Sequence, residues 1–192
     1  MGRKIYYPYS KFKSATMIFK ETKLQGAFVI EPEMLTDERG TFARTFCRRD
    51  FEGHGLNGNT SQCSISMNTK KSTLRGMHFQ KIPYAEAKLV RCSRGIIYDV
   101  IVDLRSDSPT FKEWTAVEIS VENRKMVYVP EGFAHGFQTL TDNTEVVYQM
   151  SQFYSPDHAD GFRWDDPSFN IEWPSNHLTI SSKDRNYPDF AS

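Results

Sequence analysis

The residues from Gly95 to Arg105, G-I-I-Y-D-V-I-V-D-L-R, alternate with period two rather than 3.6. Successive side chains of a strand point to opposite faces. Ile97, Asp99, Ile101 and Asp103 therefore share one face, and Ile96, Tyr98, Val100 and Val102 the other. A face that carries both isoleucines and aspartates is unusual for a plain core. It suits a strand whose inner face runs from a sheet interface into the lining of a pocket.

The same period recurs along the chain. G-A-F-V-I-E-P reads as a strand ending at Pro32, followed by strands at Thr115–Val121, Lys125–Val129, Gly136–Leu140 and Thr144–Met150. The turn-forming runs S-D-S-P, V-E-N-R, P-E-G and T-D-N-T separate them. Helical signal is confined to a turn near Arg48–Glu52 and the tail. Many short strands with regular turns imply an all-β sandwich or barrel, and a jelly roll folded around a central cavity is the best fit. An immunoglobulin-like sandwich fits less well, because its Cys and Trp spacing is absent. Aromatic residues, 14% of the chain, suit strands and a stacked ligand site.

With 192 residues and no repeat or linker, the chain reads as one domain at 23–192 behind an N-terminal extension at 1–22 rich in Lys and Tyr. That extension is basic but lacks the apolar run of a signal peptide, and Tyr6 spoils the myristoylation pattern begun by Gly2. No segment approaches the ~20 apolar residues of a membrane span. Lys+Arg and Asp+Glu balance at 24 each, which argues against nucleic acid or a membrane surface as partner. Weak charge repulsion at neutral pH makes a defined oligomer plausible. Cys47, Cys63 and Cys92 cannot pair fully, so the expected compartment is a reducing cytoplasm.

Of five histidines, His78 and His135 sit in strand-like surroundings, in L-R-G-M-H-F-Q and V-P-E-G-F-A-H-G-F. Either alone reads equally well as a satisfied packing residue. Arg75 and His78, three positions apart, would face opposite sides of a strand unless Gly76 bends it. In E-A-K-L-V-R-C, Glu86 and Lys88 share a face and Arg91 takes the other; taken alone, Lys88 reads as a solvated lysine.

Together with E-V-V-Y-Q-M, R-W-D-D-P-S-F-N-I-E-W-P and D-E-R-G at Asp37–Gly40, these segments resemble the dTDP-4-dehydrorhamnose 3,5-epimerase family, in the family's order, over Leu24 to Asp184. The resemblance implies a cupin-type jelly roll (a double-stranded β-helix). It also implies a homodimer with exchanged N-terminal strands and a metal-free site that needs no cofactor. The implied substrate is a nucleotide-diphosphate 4-keto-6-deoxy sugar. By resemblance His78 is the catalytic base, Asp184 of S-S-K-D orients it, Lys88 stabilises the enolate and Tyr148 is the opposing acid. Arg39, Arg75 and Gln62 match phosphate-holding positions, and His135 a position lining the sugar. Phe42 and Tyr154 match aromatic positions around the nucleotide and the mouth. Two departures fall near the nucleotide: Arg44 stands where the family has an acidic residue, and Ser64 where it has asparagine.

These residue types suit the chemistry. A hydrogen beside a ketone is weakly acidic, and inverting its carbon takes a base on one face and an acid on the other. Imidazole titrates near neutral pH, a carboxylate on its other nitrogen fixes the tautomer, and a tyrosine of ordinary pKa stays a donor. Guanidinium groups bind diphosphate bidentately. The competing reading is a metal-dependent cupin isomerase or dioxygenase with His78, Glu86 and His135 as ligands. It is weakened because H-x-Q replaces H-x-H, leaving Gln80 as a poor ligand. A non-catalytic sugar-nucleotide-binding jelly roll would need neither His78 nor Tyr148.

Overall fold

The computed structural model describes residues 16–190. In chain order the elements are β1 (Met17–Glu21), β2 (Phe28–Pro32), β3 (Leu35–Asp37), β4 (Gly40–Phe42), α1 (Arg48–Gly53), β5 (Gln62–Asn68), β6 (Thr73–Gln80) and β7 (Lys88–Arg94). There follow β8 (Ile96–Asp103), β9 (Trp114–Ser120), β10 (Met126–Val129), β11 (Phe133–Thr139), β12 (Thr144–Met150), β13 (Ala159–Gly161), β14 (Thr179–Ile180) and α2 (Ser182–Arg185). Residues 1–15 of the expected extension lie outside the described residues. The boundary drawn at residue 22 falls past a strand: Met17–Glu21 pairs antiparallel with β2 as an edge of the first sheet.

Two sheets stack face to face as a jelly roll. The first runs β1-β2-β10-β7-β12-β5 and the second β13-β6-β11-β8-β9, with β14 added parallel to β6. Strands β3 and β4 form a hairpin apart from both. Between the sheets Val90, Val127 and Val146 of the first meet Ile97, Ile101, Ile119 and Phe137 of the second. The face of β8 expected to run from interface to pocket meets only the first half of that expectation: Ile97 and Ile101 lie in this core and Asp99 is buried beside them, but none of the strand's residues lines the cavity described below. Its other face, Tyr98, Val100 and Val102, packs under the C-terminal segment with Phe162, Phe169 and Phe190. The outer face of the first sheet is partly covered by α1, whose Phe51 packs on Ile30, Leu89 and Tyr128. Among the described residues no helix is long and apolar enough to cross a membrane.

Candidate active site

Strand β6 delivers the histidine. Across the β6–β11 pair His78 stands opposite His135 and Arg75 opposite Phe137, so three steps on β6 match two on β11. The extra residue is a bulge at Gly76–Met77, and it turns Arg75 and His78 onto the same inner face. Only glycine serves here: Gly76 has φ +132°, and a Cβ on it would lie 2.6 Å from Gly136 Cα. The bend that the sequence left conditional is present.

His78 Nε2 lies 2.8 Å from Asp184 Oδ1. Asp184 sits on the single turn of α2, where its backbone N–H donates to the cap Ser181 Oγ, and its Oδ2 accepts from Gly76 N–H at 3.3 Å. Burial pushes its carboxyl up, but hydrogen bonding to His78, the imidazole's charge and the Gly76 and Ser181 bonds outweigh this and hold it below the usual carboxylate range. Asp184 therefore stays an anion that fixes the ring.

The first sheet supplies the facing wall. Tyr148 of β12 is opposite Ser64 of β5 and Val90 of β7, and Lys88 is opposite Met150. Burial, and then the charge of Asp99, push the Tyr148 hydroxyl well above its ordinary pKa; Arg75 and a hydrogen bond with Ser66 pull the other way. Tyr148 is thus a neutral proton donor at any physiological pH. Lys88 is not solvated as the strand pattern alone suggested: its side chain is 12% exposed and its Nζ lies 3.1 Å from Glu86 Oε1. The strand begins at Lys88, so Glu86 reaches it from the preceding loop and not along a shared strand face.

These groups meet at a cavity of about 330 Å³ lined by Ser64, His78, Glu86, Lys88, Tyr148 and Tyr154, with Asp160, Lys183 and Tyr187 at its side. Gln62 accepts a hydrogen bond from the Tyr154 backbone N–H, tying β5 to the mouth. Arg75 is held through Nε to Asn68 Oδ1 at 2.8 Å. His135 stands behind Tyr148, ring centroids 6.1 Å apart, and its Nε2 is 2.7 Å from buried Asp99 Oδ1. Arg39 and Phe42 lie elsewhere, on the β3–β4 hairpin around a separate hollow, with Arg39 paired to Asp37.

Motif reading did not single out Asp99, Lys183 or Tyr187 as site residues. Asp99 was visible as the polar residue on an isoleucine face. Lys183 adjoins Asp184 in S-S-K-D, and Tyr187, whose ring is 6.0 Å from His78, follows three residues later with no signal of its own. The metal reading is not met by the arrangement of its three ligands, which do not converge on one point. His78 and His135 each hold an aspartate, and Glu86 holds Lys88 and Gln80. Among the described residues no group of three or more His, Cys, Asp or Glu is placed to hold a metal ion.

Comparison with known proteins shows the family and the fold. Residues 21–192 match the dTDP-4-dehydrorhamnose 3,5-epimerase family. A dTDP-4-dehydrorhamnose 3,5-epimerase of Methanothermobacter thermautotrophicus is 47% identical over 172 residues, 88% of this chain and 92% of its own. The crystal structure of the Bacillus anthracis enzyme, with TDP and pyrophosphate bound, superposes with a TM-score of 0.88 at 41% identity, covering 91% of this chain and all of that one. A Legionella pneumophila epimerase in complex with dTDP-4-keto-L-rhamnose gives 0.84 at 31% identity, covering 92% of this chain and all of its own. The chain belongs to the dTDP-4-dehydrorhamnose 3,5-epimerase family.

Proposed function

We propose that this protein inverts carbons 3 and 5 of dTDP-4-dehydro-6-deoxyglucose, giving dTDP-4-dehydrorhamnose, by proton abstraction and return through an enolate. The observation that carries the reading is His78 on one sheet, paired with Asp184 of α2 and facing neutral Tyr148 on the other sheet, across a cavity that also holds Lys88.

In this scheme His78 takes the proton from the carbon beside the ketone and becomes an imidazolium stabilised by Asp184. The electron pair of the broken C–H bond moves onto the ketone oxygen, which Lys88 Nζ–H meets. Preorganised donors of this kind contribute about 3 kcal/mol each. Tyr148 delivers its proton to the opposite face and the enolate collapses to the inverted ketone. The buried phenolate left behind is costly, and the charge of Arg75 lowers that cost. Solvent then reprotonates Tyr148 and deprotonates His78. His135, fixed by Asp99, packs on the Tyr148 ring and lines the sugar, while Gln62 and Tyr154 form the nucleotide side of the mouth.

We further propose that the working unit is a cytoplasmic homodimer of this jelly roll, and that Arg39 and Phe42 serve the site of the second copy. Two features support it. The outward row of edge strand β5 exposes Ile65 at 62% and Met67 at 74%, an apolar stripe suited to a second chain. Phe42 is 68% exposed on a hairpin outside its own cavity. Three free thiols fit a reducing compartment.

The test is a panel of 4-keto-6-deoxy sugar nucleotides differing in base, followed by proton NMR in deuterated water. The thymidine compound should lose its signals at carbons 3 and 5 and give the inverted product. Conversion that stops when tightly bound metal is removed, or no exchange with any member, would overturn the reading.

A further inference from the structure

The scheme above gives Glu86 no part, yet its side chain is 11% exposed at the cavity wall. A carboxylate buried that far requires partners, and both its oxygens have one. Oε1 is 3.1 Å from Lys88 Nζ, and Oε2 accepts from Gln80 Nε2 at 3.3 Å. Gln80 is the last residue of β6, and its amide also joins two loops. Nε2 donates to the Tyr84 carbonyl at 2.9 Å and the Phe153 carbonyl at 3.2 Å, and Oε1 accepts from Ser155 N–H at 2.7 Å. Two amide hydrogens are thus shared over three acceptors, with Glu86 the longest contact. The two loops bring Glu86 and Tyr154 to the cavity. A chain of polar contacts therefore runs from the loops through Gln80 and Glu86 to the ammonium.

We propose that Glu86 is a positioning residue for Lys88: the carboxylate, anchored by Gln80, fixes where the ammonium points. This rests on the enolate role given to Lys88. A donor serves a developing oxyanion only when it is aimed at it beforehand. The Glu86 carboxylate stands 3.1 Å from the ammonium. It engages one of the three N–H groups and leaves the others for the ketone oxygen. The pair is a poor source of net stability, since a buried ion pair roughly breaks even against its desolvation. Its value is geometric, because a flexible four-carbon stem is held in one direction.

The experiment compares wild type, Glu86→Gln and Glu86→Asp as full-length proteins, each first shown to unfold cooperatively. kcat and KM are measured for dTDP-4-dehydro-6-deoxyglucose in deuterated water. Glu86→Gln should lower kcat by about 10-fold or more with KM changed less than about 3-fold. Glu86→Asp, which keeps a carboxylate on a shorter stem, should recover part of kcat. A Glu86→Gln enzyme with wild-type kcat would overturn the proposal, as would equal kcat losses in both variants. A wild type that exchanges nothing would overturn the epimerase reading and this proposal with it. A normal wild type beside an unaffected Glu86→Gln overturns this proposal alone.

Discussion

Arg75 and His78 stand three residues apart on one strand and face the same way, because Gly76 and Gly136 let β6 and β11 touch backbone to backbone. A Cβ on Gly76 would come within 2.6 Å of Gly136 Cα, and one on Gly136 within 2.9 Å of the Arg75 carbonyl oxygen. Either substitution to alanine must push the strands apart at the point that aims the base. Gly76→Ala should cost about 3 kcal/mol, since it adds strain at positive φ to the clash. Urea unfolding checks this, and an unchanged midpoint would show that the bulge does not depend on glycine.

Asp184 reaches His78 across 106 positions of sequence. Asp184→Asn keeps the shape but removes the charge that favours the imidazolium. Proton abstraction should slow by about 100-fold or more, with substrate affinity little changed. Single-turnover exchange measures the step, and a wild-type rate would remove Asp184 from the mechanism.

A second buried aspartate carries acid stability. Asp103 accepts from Arg105, Ser108 and Thr110. Burial pushes its carboxyl up, but these bonds outweigh it and hold it below the usual carboxylate range. Asp184 is lowered likewise. A carboxylate depressed on folding contributes stability that is present above its unfolded pKa and lost as pH falls through the folded one. Thermal stability should therefore fall as pH drops below that unfolded value. Asp103→Asn should be less stable at neutral pH by about 2 kcal/mol and show a shallower acid loss. Identical acid profiles for the two proteins would contradict the assignment.

If Arg39 serves the second copy, two defective proteins can repair each other. Arg39→Ala and His78→Ala should each be weak or inactive alone. Mixing them under conditions that exchange subunits should restore activity, because one site in the mixed dimer has both residues intact. Kinetics of the mixture against each variant decides it. No recovery, with mixed dimers shown to form, would place Arg39 outside the neighbouring site.

How much was legible varied with where a strand's polar face points. β8 and β12 were readable because each is a short run rich in β-branched and aromatic residues bounded by turn signals. β5, Q-C-S-I-S-M-N, escaped because its pattern is inverted: Ser64 and Asn68 face inward toward the site, while Cys63, Ile65 and Met67 face outward. The edge strand β1 lay inside a segment whose basic composition read as an arm. Within the site, His78, Lys88, Tyr148 and Asp184 were named by resemblance. The Glu86–Lys88 pair and the Asp99–His135 pair were not, since both depend on which faces meet, and one arises from a loop. Arg39 and Phe42 were named by the same motifs, but their neighbours in a single chain do not include the cavity.

The central claim is that His78 and Tyr148 work on opposite faces of the same carbon. Wild type and Tyr148→Phe, each given dTDP-4-dehydro-6-deoxyglucose in deuterated water, test it most directly. Wild type should incorporate deuterium with inversion. Tyr148→Phe should still exchange the abstracted hydrogen, but with retention, because His78 returns a deuteron to the face it took the proton from. Inverted product from Tyr148→Phe at a rate near wild type would contradict the account.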